Sequence, residues 1–359
     1  LDLVTRRLRI NLSALSANFR LFQSSCAGGR SAAVVKADAY GLGIAPVAKA
    51  LWGEGCRDFF VASYEESVQL RELVPEAKIF AFEGARAETA PLLAAAGIVP
   101  VLNHSGQLEA WKRLGGGGAA AVHLDTGMHR LGFPWEVEVE AFDGIPLELL
   151  MTHLACADEP DHPLNATQRD RFASAAARFR MRFPGLCCSV GNSAGVLSGV
   201  DRDHGGLGRP GIGLYGGNPL ADGASPVRPV VTMEGQVLQL RQVLPGESIG
   251  YGATYLATRE MTVAVVGLGY ADGLSRLLSN RGEAFCGGCR CPIVGRVSMD
   301  LTTVDVSDVP AAPGDWVEFM GEHILVDEVA AWAQTIPYEI LTGLGSRYQR
   351  IYEESPANG

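Results

Sequence analysis

AAVVKADAYGLG, residues 32–43, is the stretch from which the fold can be read. Ala32 to Val35 form a short apolar run suited to a buried strand. The run ends on a cation, Lys36, and Gly41 and Gly43 then interrupt regular structure. Similar runs recur downstream: RDFFVAS (57–63), KIFAFEG (78–84), IVPVLN (98–103), AAAVHLD (119–125), LELLMTHL (147–154), LCCSVGN (186–192) and the weaker GLGRPGIGLYG (206–216). Amphipathic stretches lie between them. Ser63-Tyr-Glu-Glu66 reads as a capping box opening a helix through EESVQLRELV. Asn165 is expected to cap the long stretch that Pro184-Gly185 ends. Leu12, Leu15, Phe19 and Phe22 mark a helix ahead of the first strand. Eight strand–helix repeats in roughly 220 residues predict an α/β fold, a (β/α)8 TIM barrel, with an open doubly wound sheet as the alternative.

Past residue 228 the pattern changes. Pro226 and Pro229 mark a junction, and MEGQVLQLRQV, MTVAVVGLGY, CPIVGRVSMDLTTVDV and DWVEFMG follow, with period-two alternation and Gly-rich turns. The expectation is a barrel over 1–228 and a mainly-β domain over 229–359.

Composition narrows the function classes. The 359 residues are 47% hydrophobic and 19% charged, with a net charge of −10, an ordinary globular balance. An acidic chain repels nucleic acid and anionic membrane surfaces, so neither is expected as a partner. No apolar run approaches the ~20 residues that span a bilayer. The opening LDLVTRRLRINL lacks the apolar stretch of a signal peptide, and eight scattered cysteines suit reduced thiols, so a cytoplasmic location is expected.

Only four lysines occur: Lys36, Lys49, Lys78 and Lys112. In a barrel, the carboxyl ends of the strands build the active site. Lys36 ends its strand there, where partial desolvation would make its amine a candidate for Schiff-base chemistry. Lys49 and Lys112 fall in helical stretches, and Lys78 begins its strand at the opposite rim. Gly191-Asn192-Ser193-Ala194-Gly195 follows the seventh strand and Arg209-Pro210-Gly211-Ile212-Gly213 lies in the eighth, where barrels often cradle phosphate on backbone N–H groups. Tyr270, in Gly-Leu-Gly-Tyr-Ala-Asp-Gly, offers a phenol for acid–base work, although a lone tyrosine far more often belongs to a core or rim. Cys286-Gly-Gly-Cys289-Arg-Cys291 has zinc-like spacing but three thiols where a structural site wants four. Gly287-Gly288 reads instead as a hairpin turn, and no metal is expected.

Together these segments resemble the alanine racemase family over nearly the whole chain. AVVKADAYG (33–41), HLDTGMHRLGF (123–133), THLACADEP (152–160), GNSAG (191–195), RPGIGLYG (209–216), GYADG (269–273) and GRVSMD (295–300) look like its signatures and stand in its order. The resemblance implies a racemase interconverting L- and D-alanine, compatible with either D-alanine biosynthesis for peptidoglycan precursor or alanine degradation. It implies pyridoxal 5'-phosphate held by Lys36 as a Schiff base. Tyr40, Asn192, Ser193, Gly211 and Ile212 would hold the phosphate end, and Arg209 would face the pyridine nitrogen with His153 behind it. Tyr270 would be a second base. Arg130 and the Met299 N–H would bind the substrate carboxylate, with Asp300 supporting that loop. A homodimer with shared sites is implied, each barrel completed by the partner's β domain.

Three positions depart from the family pattern. Leu42 stands where a histidine is usual. His123 stands where a carbamylated lysine is frequent, so Arg130 is expected to be oriented by a bound anion, by water or by His123 itself. Ser346 stands where some members place a phosphate-binding tyrosine. Racemases of serine or basic amino acids would use the same motifs. A barrel-type decarboxylase fits less well, because it wants a carboxylate at the ring nitrogen, and a non-catalytic cofactor carrier would lack the β domain.

Overall fold

The computed structural model describes residues 4–26, 29–200, 206–221 and 223–354. The chain divides into two compact units: residues 15–214 with 218–227, and residues 1–14 with 215–217 and 228–359.

The first unit is a barrel of parallel strands. Ala33–Val34, Asp58–Val61, Lys78–Ala81, Val99–Leu102, Ala120–Asp125, Leu147–Met151 and Cys187–Ser189 pair in sequence order. The eighth strand, Leu207–Gly208, closes the circle. It pairs with Arg30–Ser31 at the start of the first strand, and the Ala32 N–H donates to Gly208 O (2.8 Å) and Val34 N–H to Pro210 O (3.0 Å). On its other side Gly206 N–H reaches Cys188 O (2.8 Å) and Arg209 N–H reaches Gly191 O (2.9 Å). Closure excludes the open doubly wound sheet. Asp58–Val61 and Val99–Leu102 are buried at every residue, as strands walled on both faces must be. Phe60 stacks on Phe80 with ring centroids 4.6 Å apart.

Helices follow most strands: Ile44–Gly53, Tyr64–Leu73, Ala90–Ala95, Ser105–Leu114, Pro163–Arg182 and Ser193–Ser198. After the fifth and eighth strands only single turns of tighter helix occur, at Val139–Phe142 and Ile212–Tyr215. The long helix is not capped by Asn165. Pro163 takes the first helical position, so the cap falls on His162, whose Nδ1 accepts from the Leu164 N–H at 3.2 Å. Asn165, inside the first turn, instead donates to Cys156 O and Glu159 O, each at 2.9 Å, and pins the preceding loop.

The second unit is a mixed sheet. Its strands run in the order Cys289–Pro292, Glu283–Cys286, Trp316–Met320, Val231–Val243, Arg6–Asn11, Gln349–Glu353, with Met261–Val266 and Thr302–Asp305 continuing from Val231–Val243. The strand nearest the start of the chain therefore belongs to this sheet, although residues up to 228 read as barrel. Arg6–Asn11 pairs antiparallel with Val231–Val243 and parallel with Gln349–Glu353. Leu8 and Ile10 are fully buried, while Arg7 pairs with Glu234 (2.6 Å) and Arg9 with Glu353 (2.7 Å). Cys286 and Cys289 face each other across Gly287 and Gly288, both at positive φ, as a tight hairpin requires.

Candidate active site

Lys36 leaves the carboxyl end of the first barrel strand in an unusual turn. Ala37, Asp38 and Ala39 all have φ of 53°, and Tyr40 has 57°, a left-handed turn without glycine. Such geometry costs each L-residue about 1–2 kcal/mol. Hydrogen bonds offset it. Ala37 N–H donates to Glu66 Oε1 (2.7 Å), Gly41 N–H to Ala37 O (2.8 Å) and Gly43 N–H to Asp38 O (2.9 Å). Asp38 Oδ1 then accepts from Ile44 N–H (2.7 Å) and starts the next helix. The Lys36 Nζ lies 5.8 Å from the Phe82 ring centre. Burial, followed by the nearby Arg130 charge, lowers the Lys36 pKa, and Glu66 opposes the shift. The other lysines are engaged elsewhere or exposed: Lys78 pairs with Glu148 (2.7 Å), Lys112 donates to Ala141 O (2.7 Å), and Lys49 is exposed on a helix.

Tyr40 ends the turn beside the segment that follows the eighth barrel strand, where a Cβ at Gly211 would overlap its hydroxyl. Ser193 Oγ accepts from Gly211 N–H (2.8 Å) and Gly213 N–H (3.3 Å). Both of its lone pairs are thereby used, which leaves its hydrogen for an anion. Asn192 Oδ1 accepts from Gly195 N–H (2.9 Å) and fixes the same loop. Tyr40, Asn192, Ser193, Gly211 and the adjoining Ile212 are thus gathered at one end of the barrel.

Arg209 is 2% exposed. Its guanidinium donates to Ser189 Oγ, to Thr152 O (2.6 Å) and to Val190 O (3.4 Å), while Ser189 in turn donates to Leu207 O. His153 is pushed well below the ordinary histidine value by burial and then by Arg209. His123 is lowered to about 4 by burial, then by Arg209 and Arg130, so it is neutral at pH 7. Its tautomer follows from Asn103. The Asn103 amide donates to Phe82 O (3.0 Å) and Val101 O (2.8 Å), so its Oδ1 is an acceptor. His123 Nδ1, 2.9 Å from that oxygen, must carry the hydrogen, which leaves Nε2 as an acceptor. Neutral His123 therefore has a lone pair to offer a cation.

Arg130 sits on the loop after the fifth strand. Asp125 Oδ1 knots this loop, accepting from Gly127 (2.9 Å), Met128 (3.0 Å) and His129 N–H (3.1 Å). Burial would raise the Asp125 pKa, but these three donors bring it down. Arg130 is exposed, and among the described residues no carboxylate pairs with it. Leu42, at a departing position, is fully buried.

In the second unit Tyr270 and Met299 are held side by side. Tyr270 N–H donates to Ser298 O and Ala271 N–H to Met299 O, both at 3.0 Å. A Cβ at Gly269 would collide with those same carbonyls, so the close approach needs glycine. Asp272, fully buried, accepts from Gly269 N–H (3.0 Å), Arg6 (2.8 Å) and Arg347 (2.8 Å), and Arg347 also holds Asp300 (2.6 Å). Tyr270 and Met299 are 42% and 53% exposed. Among the described residues no group of three or more His, Cys, Asp or Glu could hold a metal ion.

Two family models match the chain: "Alanine racemase, N-terminal domain" over residues 10–219 and "Alanine racemase, C-terminal domain" over residues 230–352. The chain belongs to the alanine racemase family. An alanine racemase of Rhodospirillum rubrum is 46% identical, covering 98% of this chain and 96% of that one. The crystal structure of alanine racemase from Bartonella henselae, with covalently bound pyridoxal phosphate, is similar at a TM-score of 0.90 and 37% identity, over 98% of this chain and all of the other. That from Streptomyces coelicolor reaches 0.92 at 31% identity, over 98% and 99%.

Lys36 to Ile212 fall in the segment matching the N-terminal racemase domain, and Tyr270, Met299 and Asp300 in the other. Sequence reasoning missed Asn103, Ser189, Asp272, Arg6 and Arg347 as supports. Asn103 had a usable signal, because it follows the fourth strand as Lys36 follows the first. Arg6 and Arg347 had none, being joined to Asp272 only through tertiary contact.

Proposed function

We propose that this chain is a pyridoxal-phosphate-dependent racemase interconverting L- and D-alanine by a two-base mechanism. The observation that carries the reading is the convergence at one barrel rim of a partly desolvated lysine, a serine–glycine anion cradle and a buried arginine. Ser193, with Asn192, Tyr40, Gly211 and Ile212, would hold the phosphate. Arg209, whose plane Ser189 and Thr152 fix, would meet the ring nitrogen, and as a donor that keeps its proton it would leave that nitrogen unprotonated. Bound there, the cofactor supplies an electron sink that acidifies the substrate Cα–H.

The remaining work falls to side chains. The Lys36 amine, its pKa lowered, removes or returns the Cα proton on one face, and the Tyr270 phenol does so on the other. Arg130, with the Met299 N–H, binds the substrate carboxylate, and Asp300 braces that turn through Arg347. Neutral His123 offers Nε2 to orient Arg130. We further propose a homodimer in which Tyr270 and Met299 serve the partner's barrel, as their exposure suits, and a cytoplasmic location, as eight free thiols suit.

The test is Cα exchange. Incubated with pyridoxal phosphate and L-alanine in heavy water, the protein is expected to give deuterated D-alanine. Cofactor binding without exchange would sink the reading. Tyr270→Phe should slow the exchange by about 10²–10⁴-fold while leaving cofactor absorbance in place.

A further inference from the structure

Glu66 stands where a capping box would use it, but its carboxylate does something else. Ser63 keeps its half of the motif, its Oγ accepting from Glu66 N–H at 3.3 Å. The carboxylate should return to the Ser63 N–H. Instead Oε2 accepts from Ala62 N–H and Oε1 from Ala37 N–H, each at 2.7 Å. One side chain thus ties the end of the second barrel strand to the residue beside Lys36. Ala37 opens the left-handed turn, and its N–H meets no carbonyl within that turn, whereas the N–H groups of Ala39 and Gly41 bond to Val35 O and Ala37 O. The strained segment is therefore secured at its first residue from outside.

We propose that Glu66 is a positioning residue for Lys36, fixing the left-handed turn from which Lys36 and Tyr40 project and keeping a negative charge near the amine. This rests on the reading of Lys36 as the reactive amine. Among the described residues, the charged and titratable groups acting on Lys36 are Arg130 from the loop after the fifth strand, His153 from the loop after the sixth, and Glu66. Glu66 alone is negative, and it counters the effect of burial and of Arg130. Glutamine in its place can accept from only one of the two N–H groups and turns a donor toward the other.

The test reads Lys36 directly in the cofactor-free full-length chain, whatever its catalytic activity. Amines are acetylated with acetic anhydride across a pH series and each lysine is quantified by mass spectrometry, with exposed Lys49 as internal standard. In Glu66→Gln the midpoint for Lys36 labelling should fall by about half a pH unit, with Lys49 unmoved. The Ala37 amide should exchange hydrogen about tenfold faster. Ser63→Ala, which weakens the same helix cap without touching Ala37, should change neither. A Lys36 midpoint that stays put in Glu66→Gln, or shifts equally in Ser63→Ala, overturns the proposal and makes Glu66 a helix cap only. Should Glu66→Gln fail to fold, Glu66→Asp retains the charge but withdraws it by one methylene. Ala37 exchange must still accelerate there, and unchanged exchange overturns the proposal. Because labelling and exchange need no turnover, they separate this idea from the racemase assignment.

Discussion

The two proposed bases sit on turns built in opposite ways. Lys36 leads into four consecutive L-residues in the left-handed region, secured where the Ala37 and Ile44 N–H groups donate to the carboxylates of Glu66 and Asp38, all within a few tens of residues. Tyr270 sits on a turn framed by Gly269 and Gly273 and secured by ion pairs to arginines close to either end of the chain. The barrel side stores strain and balances it locally. The β side has little strain but depends on distant charges. The contrast teaches that equal catalytic standing need not mean equal structural dependence, so perturbations should separate the two halves of the mechanism.

The largest effect should come from Lys36→Ala. It removes both a base and the covalent anchor, so activity should drop by about ten-thousandfold and the cofactor's visible absorbance should vanish. Unchanged colour would move the anchor to another lysine and dissolve the comparison. Asp272→Asn should act on the other side. It leaves Arg6 and Arg347 without their buried partner and should cost about 2–3 kcal/mol, less than a fully buried pair because both arginines keep some solvent. Urea denaturation measures this, and a loss below 0.5 kcal/mol (on the order of a surface pair) would mean that Asp272 is no clamp.

Acid should weaken the barrel side in a defined window. His123 is neutral in the fold, with a pKa of about 4, while the unfolded chain takes up that proton near 6.5. The unfolded state therefore binds more protons between these values. Stability is fully present above about pH 6.5 and is lost as pH falls towards 4, by about 3 kcal/mol for this residue. The drop between pH 7 and 4.5 should be smaller in His123→Asn, and equal slopes would refute the neutral assignment. Ser193→Ala should be mildest, removing one hydroxyl donor and raising the cofactor's Kd about five- to tenfold. No change in titrated affinity would place the phosphate elsewhere.

The sequence showed the barrel well because parallel strands bury both faces and so appear as continuous apolar runs, each ending where a loop carries polar chemistry. Lys36, Asn192 and Arg209 were legible for that reason. Other features depended on information that no local window holds. The Glu66 carboxylate was readable as a cap, but its diversion to Ala37 depends on how two strand ends meet. Asn165 reads as a cap in the sequence, but Pro163 sets the helix start, and the cap at His162, three residues earlier. The strand Arg6–Asn11 alternates apolar and basic residues, yet nothing in RRLRIN says which sheet will take it. His123 was visible as a departure, whereas its tautomer required the Asn103 amide and the two carbonyls that orient it.

That strand also bears on synthesis. Arg7 pairs with Glu234 on one side and with Gln349 on the other. A ribosome adding about 5–20 residues per second needs about 20–70 s to travel from the first of these positions to the last. Throughout that interval the nascent strand has open edges, while the barrel residues emerge and can collapse among themselves. Three arginines in six residues put like charges on such an edge and disfavour its pairing with a second copy. The same three charges are the ones that pair with Asp272, Glu234 and Glu353 in the finished fold.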